Sequence, residues 1–418
     1  MKLKICILLI ALAAGMASPA RGQKKLRPDA FPPAETSLKS GTKTLTMAST
    51  PAEMAGWDRY PTYSTYLSMM QQWATDYPAL CRLDTIGTSI NGRLILSLEL
   101  SSALNDSTLP EFFYSSTIHG DEITGFVMML RLIDTLLSSY GQSERLTALL
   151  DGTHICINPL SNPDGTYYGG NNSVQNARRY NARNIDLNRR YPDPFRNYSY
   201  SIPQENQLMI NYMQRHHFSL SANLHGGAEV LNYPWDSFTS LERPHPDAEW
   251  WKTLCRKCID TLRAYPNGTF DDVEDSGFIA GGDWYVIGGG RQDYVNQALG
   301  CLEITMEISV DKQLSSNRLP EYWQFLAPML ITYMEAVHTL PTPVGIPAIA
   351  TEQLSAYPNP TTGQVLLSGI KENEKIEILD IQGHLLMQSQ GATLDLSPLP
   401  QGIYLLRTAE AVSKIIKR

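Results

Sequence analysis

Apolar and polar residues alternate along the chain in blocks that predict strands and helices in turn. An apolar block at residues 112–118 predicts a buried strand, and apolar residues then recur at helical spacing from 123 to 137. The stretch Thr117-Ile-His119-Gly-Asp-Glu122 lies between them. We therefore expect His119 at the carboxyl end of a strand and Glu122 in the first turn of the next helix. In open α/β sheets this edge is where ligands bind.

Similar patterns continue along most of the chain. They predict further strands at residues 81–87, 93–100, 154–158, 218–224 and 301–308, and helices at 60–76, 250–262 and 322–334. Strands mixed with helices predict one large α/β domain over residues 56–340, with a mixed central sheet and helices on both faces. A Pro-rich linker at 341–350 leads to short strands separated by Gly, Asn or Pro turns, which predict a small β-sandwich at 351–418.

The amino terminus has the composition of a targeting segment. Two lysines, a short apolar run and several small residues predict a secretory signal peptide at 1–22. The apolar run is too short to span a bilayer comfortably, and we expect no transmembrane segment elsewhere. Residues 23–55, rich in Pro, Ser, Thr and Lys, are interpreted as a linker or propeptide-like lead-in. Export permits disulfides, although the five cysteines after residue 22 leave at least one unpaired or paired between molecules.

Composition narrows the choice of partner. The 418 residues are 43% hydrophobic and 18% charged, which is typical of a globular protein with an ordinary core. The formal net charge of −8 provides no basic surface, so we do not expect nucleic acid as a partner.

His119 and Glu122 are candidate metal ligands, because zinc binds histidine nitrogen and carboxylate oxygen. The alternative is an ordinary strand–helix corner in which the helix dipole favours a Glu. His225 is the natural third ligand, since it ends an apolar strand and two glycines follow it. Three protein ligands leave one position open for water, the pattern of catalytic zinc. His154, inside an alternating strand, is interpreted as a packed core histidine.

Five motifs in this order resemble the zinc metallocarboxypeptidases, in particular the regulatory branch with carboxypeptidases N, M, E and D. They lie at residues 119–122, 162–165, 185–189, 221–234 and 303–308. The resemblance extends over about residues 57–340. It implies the zinc carboxypeptidase fold, one zinc ion per chain bound by His119, Glu122 and His225, and peptide or protein C-termini as substrates.

The resemblance also implies roles for individual residues. Glu307 is expected to be the general base and acid, Arg179 the cation beside the oxyanion, and Tyr285 a mobile residue that closes over substrate. Arg178 is adjacent, so the arginine assignment could shift by one position. The other implied roles are a clamp on the substrate's terminal carboxylate, formed by Asn188 and Arg189, and orientation of a zinc-bound histidine by Asp186.

Substrate preference is inferred from Asp236 and Gln292, which match the pocket acid and amide of family members specific for basic residues. A buried carboxylate favours a cationic side chain, so we expect release of C-terminal Lys or Arg. The alternative is that Asp236 is a surface turn residue. The chain also departs from the family pattern at Arg190 and Tyr191, and at Arg291, which replaces a usual Met. An extra cation near the pocket is expected to weaken basic specificity.

The carboxyl-terminal segment has its own resemblance. Motifs at residues 356–363, 379–383 and 401–404, with a Lys-rich end, are similar to the C-terminal sorting domain of the type IX secretion system of Bacteroidetes. This implies recognition by secretion machinery, passage across an outer membrane, and a product that is secreted or attached to the outer cell surface. A carbohydrate-binding β-module is the alternative.

Three functions are compatible with these motifs. The leading hypothesis is an exported zinc carboxypeptidase that releases a C-terminal basic residue. The second is a zinc peptidase of the same fold that cuts murein stem peptides in the cell wall. The third is an inactive zinc-dependent peptide-binding module, against which Glu307 argues, because binding alone needs no general base.

Overall fold

The computed structural model describes residues 43–273, 276–341, 354–368, 374–380, 384–408 and 412–418. The chain divides into two units between Leu340 and Pro341. The predicted signal peptide, residues 23–42 of the predicted lead-in and residues 342–350 of the predicted linker lie outside the described residues.

The strands and helices of the first unit alternate through most of its length. The strands are β1 (Met47–Ala48), β2 (Tyr60–Pro61), β3 (Cys81–Thr88), β4 (Leu94–Leu100), β5 (Glu111–Ser116), β6 (His154–Asn158), β7 (Phe218–His225), β8 (Ala228–Tyr233), β9 (Phe278–Ala280) and β10 (Leu302–Ser309). The α-helices are α1 (Tyr63–Asp76), α2 (Thr124–Ser139), α3 (Glu144–Gly152), α4 (Pro163–Thr166), α5 (Gln204–Arg215), α6 (Ala248–Arg263), α7 (Gly281–Trp284), α8 (Arg291–Tyr294) and α9 (Leu319–Glu335). Short 3-10 helices lie at Pro51–Met54, Leu187–Arg189, Ser316–Arg318 and Ala336–His338, and a π-helix lies at Val295–Leu299.

Eight of these strands form a mixed sheet in the order β3-β4-β6-β5-β7-β10-β8-β9. Strands β6, β5, β7 and β10 run parallel, whereas β4 pairs antiparallel with β6 and β8 pairs antiparallel with β10. The carboxyl ends of β5, β7 and β10 therefore meet at one edge of the sheet. This arrangement confirms the predicted mixed central sheet.

Hydrophobic cores lie on both faces of that sheet, and the side chains of β5 contribute to both of them. Phe112 and Tyr114 belong to a large core with α1, α2, α6 and α9, whereas Phe113 faces a smaller core with α5. Successive side chains of a strand point to opposite faces, so a strand between two helical layers must be apolar throughout. The predicted helices on both faces are confirmed.

Two local expectations differ from the structure. Residues 43–55 belong to the packed unit: β1 pairs in parallel with β2, and Ala48 and Met54 are buried. The polar composition of this segment did not predict its packing, because the segment packs through two buried apolar residues, Ala48 and Met54. In addition, β5 ends before His119 and α2 begins after Glu122, so both residues lie in the connecting loop and Glu122 is not in the first helical turn.

The second unit is an all-β domain. Its strands are β11 (Ser355–Tyr357), β12 (Gln364–Ser368), β13 (Lys375–Leu379), β14 (Leu385–Gln390), β15 (Thr393–Asp395), β16 (Gly402–Arg407) and β17 (Val412–Lys417). They form antiparallel sheets in the orders β11-β12-β15 and β14-β13-β16-β17. Val365 and Leu394 from one sheet share a core with Ile376 and Leu406 from the other, which confirms the predicted sandwich.

The five cysteines of the described residues are buried and unpaired; they are Cys81, Cys156, Cys255, Cys258 and Cys301. Burial raises the pKa of the Cys81 and Cys258 thiols to about 12. Cys255 and Cys258 pack on the buried face of α6. No described helix has both the length and the hydrophobicity needed to cross a membrane.

Candidate active site

Three donor atoms converge at the carboxyl edge of the sheet. The Nδ1 atom of His119 lies 3.0 Å from Oε2 of Glu122, and Nδ1 of His225 lies 2.8 Å from the same oxygen. The two Nδ1 atoms are 3.1 Å apart. All three side chains are at most 3% exposed. The sequence-predicted ligands are thus brought together within hydrogen-bonding distance of one another.

The loop that carries His119 and Glu122 is held by the Asn162-Pro-Asp-Gly165 motif. The Asn162 side-chain amide donates to the Ile118 carbonyl at 3.1 Å, and the Thr166 hydroxyl donates to the Gly120 carbonyl at 2.9 Å. A Cβ on Gly120 would lie 2.4 Å from the Gly165 carbonyl carbon, so only glycine allows this approach. The motif therefore shapes the site through backbone contacts.

Both histidines are oriented through their second ring nitrogen. Nε2 of His119 lies 3.1 Å from Oδ1 of Asp186, and Nε2 of His225 lies 2.8 Å from the side-chain amide of Asn223. A carboxylate on Nε2 favours a proton there and leaves the Nδ1 lone pair directed at the centre. Burial also lowers the pKa of His225 to about 4, which keeps its imidazole neutral.

This donor set fits a zinc ion. Two imidazole nitrogens and one carboxylate oxygen converge on one centre, and these are atom types that zinc binds. Neutral imidazole and ionised carboxylate are the states that bind a metal. The three residues also form a group of potential metal ligands by mutual distance alone.

Cations surround this cluster. Nε of Arg179 donates to Oδ2 of Asp186 at 3.0 Å, and its Nη1 lies 3.4 Å from Oε1 of Glu122. Arg178 instead stacks on the Tyr168 ring, with its guanidinium carbon 3.5 Å from the ring centroid. Of the two candidate arginines, Arg179 is therefore the one inside the site.

Glu307 lies beside the donor cluster, because β10 pairs in parallel with β7 and sets Glu307 level with His225. It is 8% exposed, and its Oε2 atom has no hydrogen-bond partner among the described residues. Burial, followed by the negative charge of Glu122, raises the pKa of Glu307 well above its usual value. An unpaired buried carboxyl next to a metal-type cluster is a candidate proton carrier.

The predicted clamp residues follow Asp186 directly. The Asn188 side-chain oxygen accepts from the Arg291 backbone amide at 2.9 Å, and Arg189 donates to the Asn188 carbonyl at 2.8 Å. The Arg189 charge opposes the burial that raises the pKa of Glu307 and of Asp236. Its field therefore acts on both the metal edge and the pocket acid.

Tyr285 is half-buried in the same region. Its pKa is raised by burial and then by the negative charge of Glu307. The structure thus brings the predicted mobile tyrosine within the electrostatic reach of the candidate proton carrier.

Asp236, the predicted pocket acid, is 5% exposed, which argues against the surface-turn alternative. The Gln292 side-chain amide donates to its Oδ1 at 2.8 Å. Asp293 accepts from the backbone amides of Asp236 and Ser237 at 2.8 and 2.9 Å. A Cβ on Gly281 would lie 2.0 Å from Oδ1 of Asp236, so a glycine is required for the carboxylate to fit.

The expected extra cation near the pocket is not free. Arg291 is 1% exposed, and its Nη2 donates to Oε2 of Glu303 at 2.8 Å. Its Nη1 donates to the Ser115 hydroxyl at 2.5 Å. The positive charge is therefore compensated inside the fold, which removes the reason to expect weaker basic specificity from it.

Comparison with known proteins agrees with this geometry. Residues 66–327 match the family model described as zinc carboxypeptidase. The chain belongs to the zinc carboxypeptidase family. The resemblance proposed from the motifs is thereby confirmed. Residues 355–418 match the model of the secretion system C-terminal sorting domain, which confirms the second resemblance and implies export.

Similar members of the family include mammalian carboxypeptidases. Carboxypeptidase M of Mus musculus is 34% identical over 293 residues, which are 65% of this chain and 64% of that protein. The Carboxypeptidase N catalytic chain of Mus musculus is 29% identical over 359 residues, 75% of each chain. The match to Carboxypeptidase D of Anas platyrhynchos, 28% identical over 320 residues, covers 73% of this chain and 22% of that much longer protein.

Solved structures show the same carboxypeptidase fold. The carboxypeptidase A from Helicoverpa armigera superposes with a TM-score of 0.57 at 19% identity, covering 68% of this chain and 75% of that chain. Thrombin activatable fibrinolysis inhibitor superposes with a TM-score of 0.59 at 16% identity, covering 70% and 77%.

Sequence reasoning missed several residues of this carboxypeptidase-type site. Asn223 lies two positions before His225 on one strand, so the alternating pattern could have found it. Lys312, whose Nζ lies 3.3 Å from Oε1 of Glu122, comes from a loop with no distinguishing pattern. Asp293 follows the predicted Gln292, but its capping role depends on a turn more than 50 residues away in sequence.

Proposed function

We propose that this protein is an exported zinc carboxypeptidase that hydrolyses the last peptide bond of peptides and proteins and releases C-terminal Lys or Arg. The observation that carries the proposal is the convergence of His119, Glu122 and His225 beside the unpaired carboxyl of Glu307. Structural charge clusters do not usually leave a buried carboxyl without a partner. The sorting domain supports recognition by secretion machinery and release to, or attachment at, the outer cell surface.

His119, Glu122 and His225 would hold one zinc ion per chain. When bound, zinc supplies a Lewis acid that polarises the scissile carbonyl and makes a neighbouring water more acidic. Asp186 and Asn223 would keep the two imidazole rings in the orientation that binding requires.

Glu307 would carry the proton between the two halves of the reaction. Its carboxylate accepts a proton from the attacking water as the water oxygen bonds to the carbonyl carbon. The same carboxyl then gives that proton to the departing amine as the C–N bond breaks. Arg179, whose Nη1 lies 3.4 Å from Oε1 of Glu122, would stabilise the negative charge that develops on the carbonyl oxygen.

Asn188 and Arg189 would bind the terminal carboxylate of the substrate, for which a guanidinium offers two parallel hydrogen bonds. Tyr285 would close over the bound residue and exclude water. These residues would bind the terminal carboxylate that all peptides share, so they would restrict cleavage to the chain end without selecting a side chain.

Side-chain selection would come from Asp236 with Gln292. A carboxylate that is 5% exposed gains from a guanidinium or ammonium placed opposite it. An apolar side chain would leave the same carboxylate without a partner, which disfavours substrates ending in Phe or Leu.

One assay tests the proposal. Zinc-loaded protein is given a matched series of peptides ending in Arg, Lys, Phe and Ala, and kcat/KM is measured for each. We expect release of the last residue only, with Arg and Lys preferred by about tenfold or more over Phe. Preference for Phe would overturn the pocket assignment and leave the zinc mechanism standing.

Two further results of this assay correspond to the alternative functions. Cleavage of a murein stem peptide in preference to all four linear peptides would favour a cell-wall peptidase. Peptide binding without any cleavage would favour a peptide-binding module.

A further inference from the structure

A buried cation that the proposed chemistry does not use lies in the sheet, next in sequence to Gln292. Arg291 and Glu303 are 1% and 0% exposed and form a direct ion pair. The guanidinium carbon also lies 5.3 Å from the centroid of the Phe113 ring. The side chain is thus directed into the sheet, towards β5 and β10.

The backbone of Arg291, in contrast, starts at the pocket. It is the first residue of α8, and the next residue, Gln292, bonds to Asp236. A Cβ on the preceding Gly290 would lie 3.5 Å from Oδ2 of Asp236. Arginine has a long side chain, so this position gives Arg291 a choice between two carboxylates, Glu303 inside the sheet and Asp236 in the pocket.

Glu303 is held through one of its oxygens, whereas its Oε1 and the Nε of Arg291 have no hydrogen-bond partner among the described residues. Its Oε2 atom also accepts from the Ser221 hydroxyl at 2.8 Å, and Arg291 donates in addition to Ser115. A buried guanidinium without a counter-ion is strongly destabilising, so a loss of the Glu303 charge forces Arg291 to find another anion. Asp236 receives the Gln292 amide but no cation within 4.0 Å among the described residues.

We propose that Glu303 is a specificity-positioning residue: by holding the Arg291 guanidinium inside the sheet, it keeps that cation off Asp236 and leaves the pocket acid free for a basic side chain of the substrate. This inference rests on the proposed preference for C-terminal Lys or Arg. It assigns to Glu303 a function that requires no contact with substrate.

The test compares four proteins on peptides ending in Arg, Phe and Ala: wild type, Glu303→Gln, the double variant Glu303→Gln with Arg291→Met, and Glu229→Gln. In Glu303→Gln the released guanidinium pairs with Asp236, so the ratio of kcat/KM for Arg to that for Phe falls about tenfold to hundredfold. The double variant has neither charge and regains the wild-type ratio within about threefold. Glu229, a buried carboxyl bonded to the Tyr322 hydroxyl, is the matched control, and its variant keeps the ratio.

A purely structural role for Glu303 would lower activity on all three peptides together and leave the ratio unchanged. Free L-arginine gives a second readout, because its inhibition constant rises in Glu303→Gln while that of free L-phenylalanine does not. If Glu303→Gln fails to fold, Glu303→Asp is used instead. It keeps the negative charge, but its side chain is one methylene shorter, so the carboxylate lies farther from the Arg291 guanidinium. We expect a smaller fall in the same ratio.

An unchanged ratio in Glu303→Gln, or in Glu303→Asp where that variant replaces it, overturns the inference. So does a double variant that fails to regain the ratio. Failure of the proposed function is a separate result and is measured on wild type alone. A wild-type preference for Phe would mean that the enzyme has no basic specificity for Glu303 to maintain.

Discussion

Strand β10 carries two buried glutamates four residues apart, and they differ in how their charge is compensated. Glu303 has its own guanidinium and two hydroxyl-bearing neighbours close by. Each glutamate leaves one oxygen without a hydrogen-bond partner among the described residues, but Glu307 has no ion-pair partner there and stands beside another carboxylate, Glu122. A buried acid with an internal cation has its charge satisfied by the fold, whereas one without a cation marks a place where charge or a proton arrives from outside.

The metal edge and the pocket acid can be compared with Glu307 in the same way. At the metal edge, His119, Glu122 and His225 direct donor atoms at a common centre. At the pocket floor, Asp236 lies near Asp293, and burial together with this like charge raises the pKa of Asp236 well above its usual value. On the proposed function, the metal edge would receive a metal ion and Asp236 a cationic side chain of the substrate.

Metal removal tests the first half of this comparison and should have the largest effect. A chelator is expected to reduce activity to background, and zinc is expected to restore it with about one ion per chain, because three ligands and one centre are available. Elemental analysis and activity are measured on the same sample. An active preparation that contains no zinc-equivalent metal would refute the mechanism.

The Glu307→Gln variant distinguishes the loss of the proton carrier, which lowers turnover, from the loss of a metal ligand, which lowers zinc content. Turnover should fall by about 10²–10⁴, since general acid–base catalysis contributes on this scale. Zinc content and the Arg-to-Phe ratio should remain as in wild type, because neither depends on proton transfer. Retention of more than about a tenth of wild-type kcat would show that Glu307 is not the base.

Asp236→Ala should produce the opposite pattern. The Arg-to-Phe ratio of kcat/KM is expected to fall about tenfold to hundredfold, since the buried charge that discriminates the side chains is gone. Zinc content should not change, and Gln292→Ala should reduce the ratio less.

Arg189→Ala is the matched control for Asp236→Ala. It should lower activity on all peptides, because Arg189 would bind the terminal carboxylate that they share, and it should change the Arg-to-Phe ratio less than Asp236→Ala does, since the Arg189 charge also acts on Asp236. A change in the Arg-to-Phe ratio as large as that of Asp236→Ala would contradict the division between clamp and pocket.

A third group of acids, Glu99 and Glu111 at the opposite edge of the sheet, differs from these because histidines lie beside it. His154 lies between Glu99 and Glu111, at 3.4 and 3.6 Å, and His216 lies 3.4 Å from Glu111. Arg82 pairs with Glu99 as well. These acids raise the pKa of His154 to about 9, above the value of about 6.5 in an unfolded chain.

The raised pKa predicts a pH-dependent stability. The stabilisation by His154 is complete below about pH 6.5 and is lost as the pH rises through about 9. We expect an effect on the order of 1 kcal/mol after solvent screening. Thermal midpoints of wild type and His154→Gln, measured from pH 6 to 10, should converge with rising pH. Parallel curves would show that His154 is not charged in the folded protein.

The sequence predicted the sheet and the metal edge well because both depend on local patterns. The strand before His119 and the strand ending at His225 are short apolar runs, and the sheet order then brings their ends together. The pocket floor was predicted less completely. Arg291 pairs with Glu303 and Ser115, and Ser115 lies 176 residues away in sequence, so no local pattern distinguishes a compensated arginine from a free one.

The five unpaired thiols make opening of the fold measurable by chemistry. Thiolate is the species that reacts with alkylating reagents, and burial keeps Cys81 and Cys258 protonated up to a pKa of about 12. Each thiol therefore becomes reactive only when its own element opens. Cys81 begins an outer strand of the sheet, whereas Cys255 and Cys258 lie on the buried face of α6. Mass spectrometry of alkylated peptides would thus time the opening of separate elements in the unmodified chain, without any engineered probe.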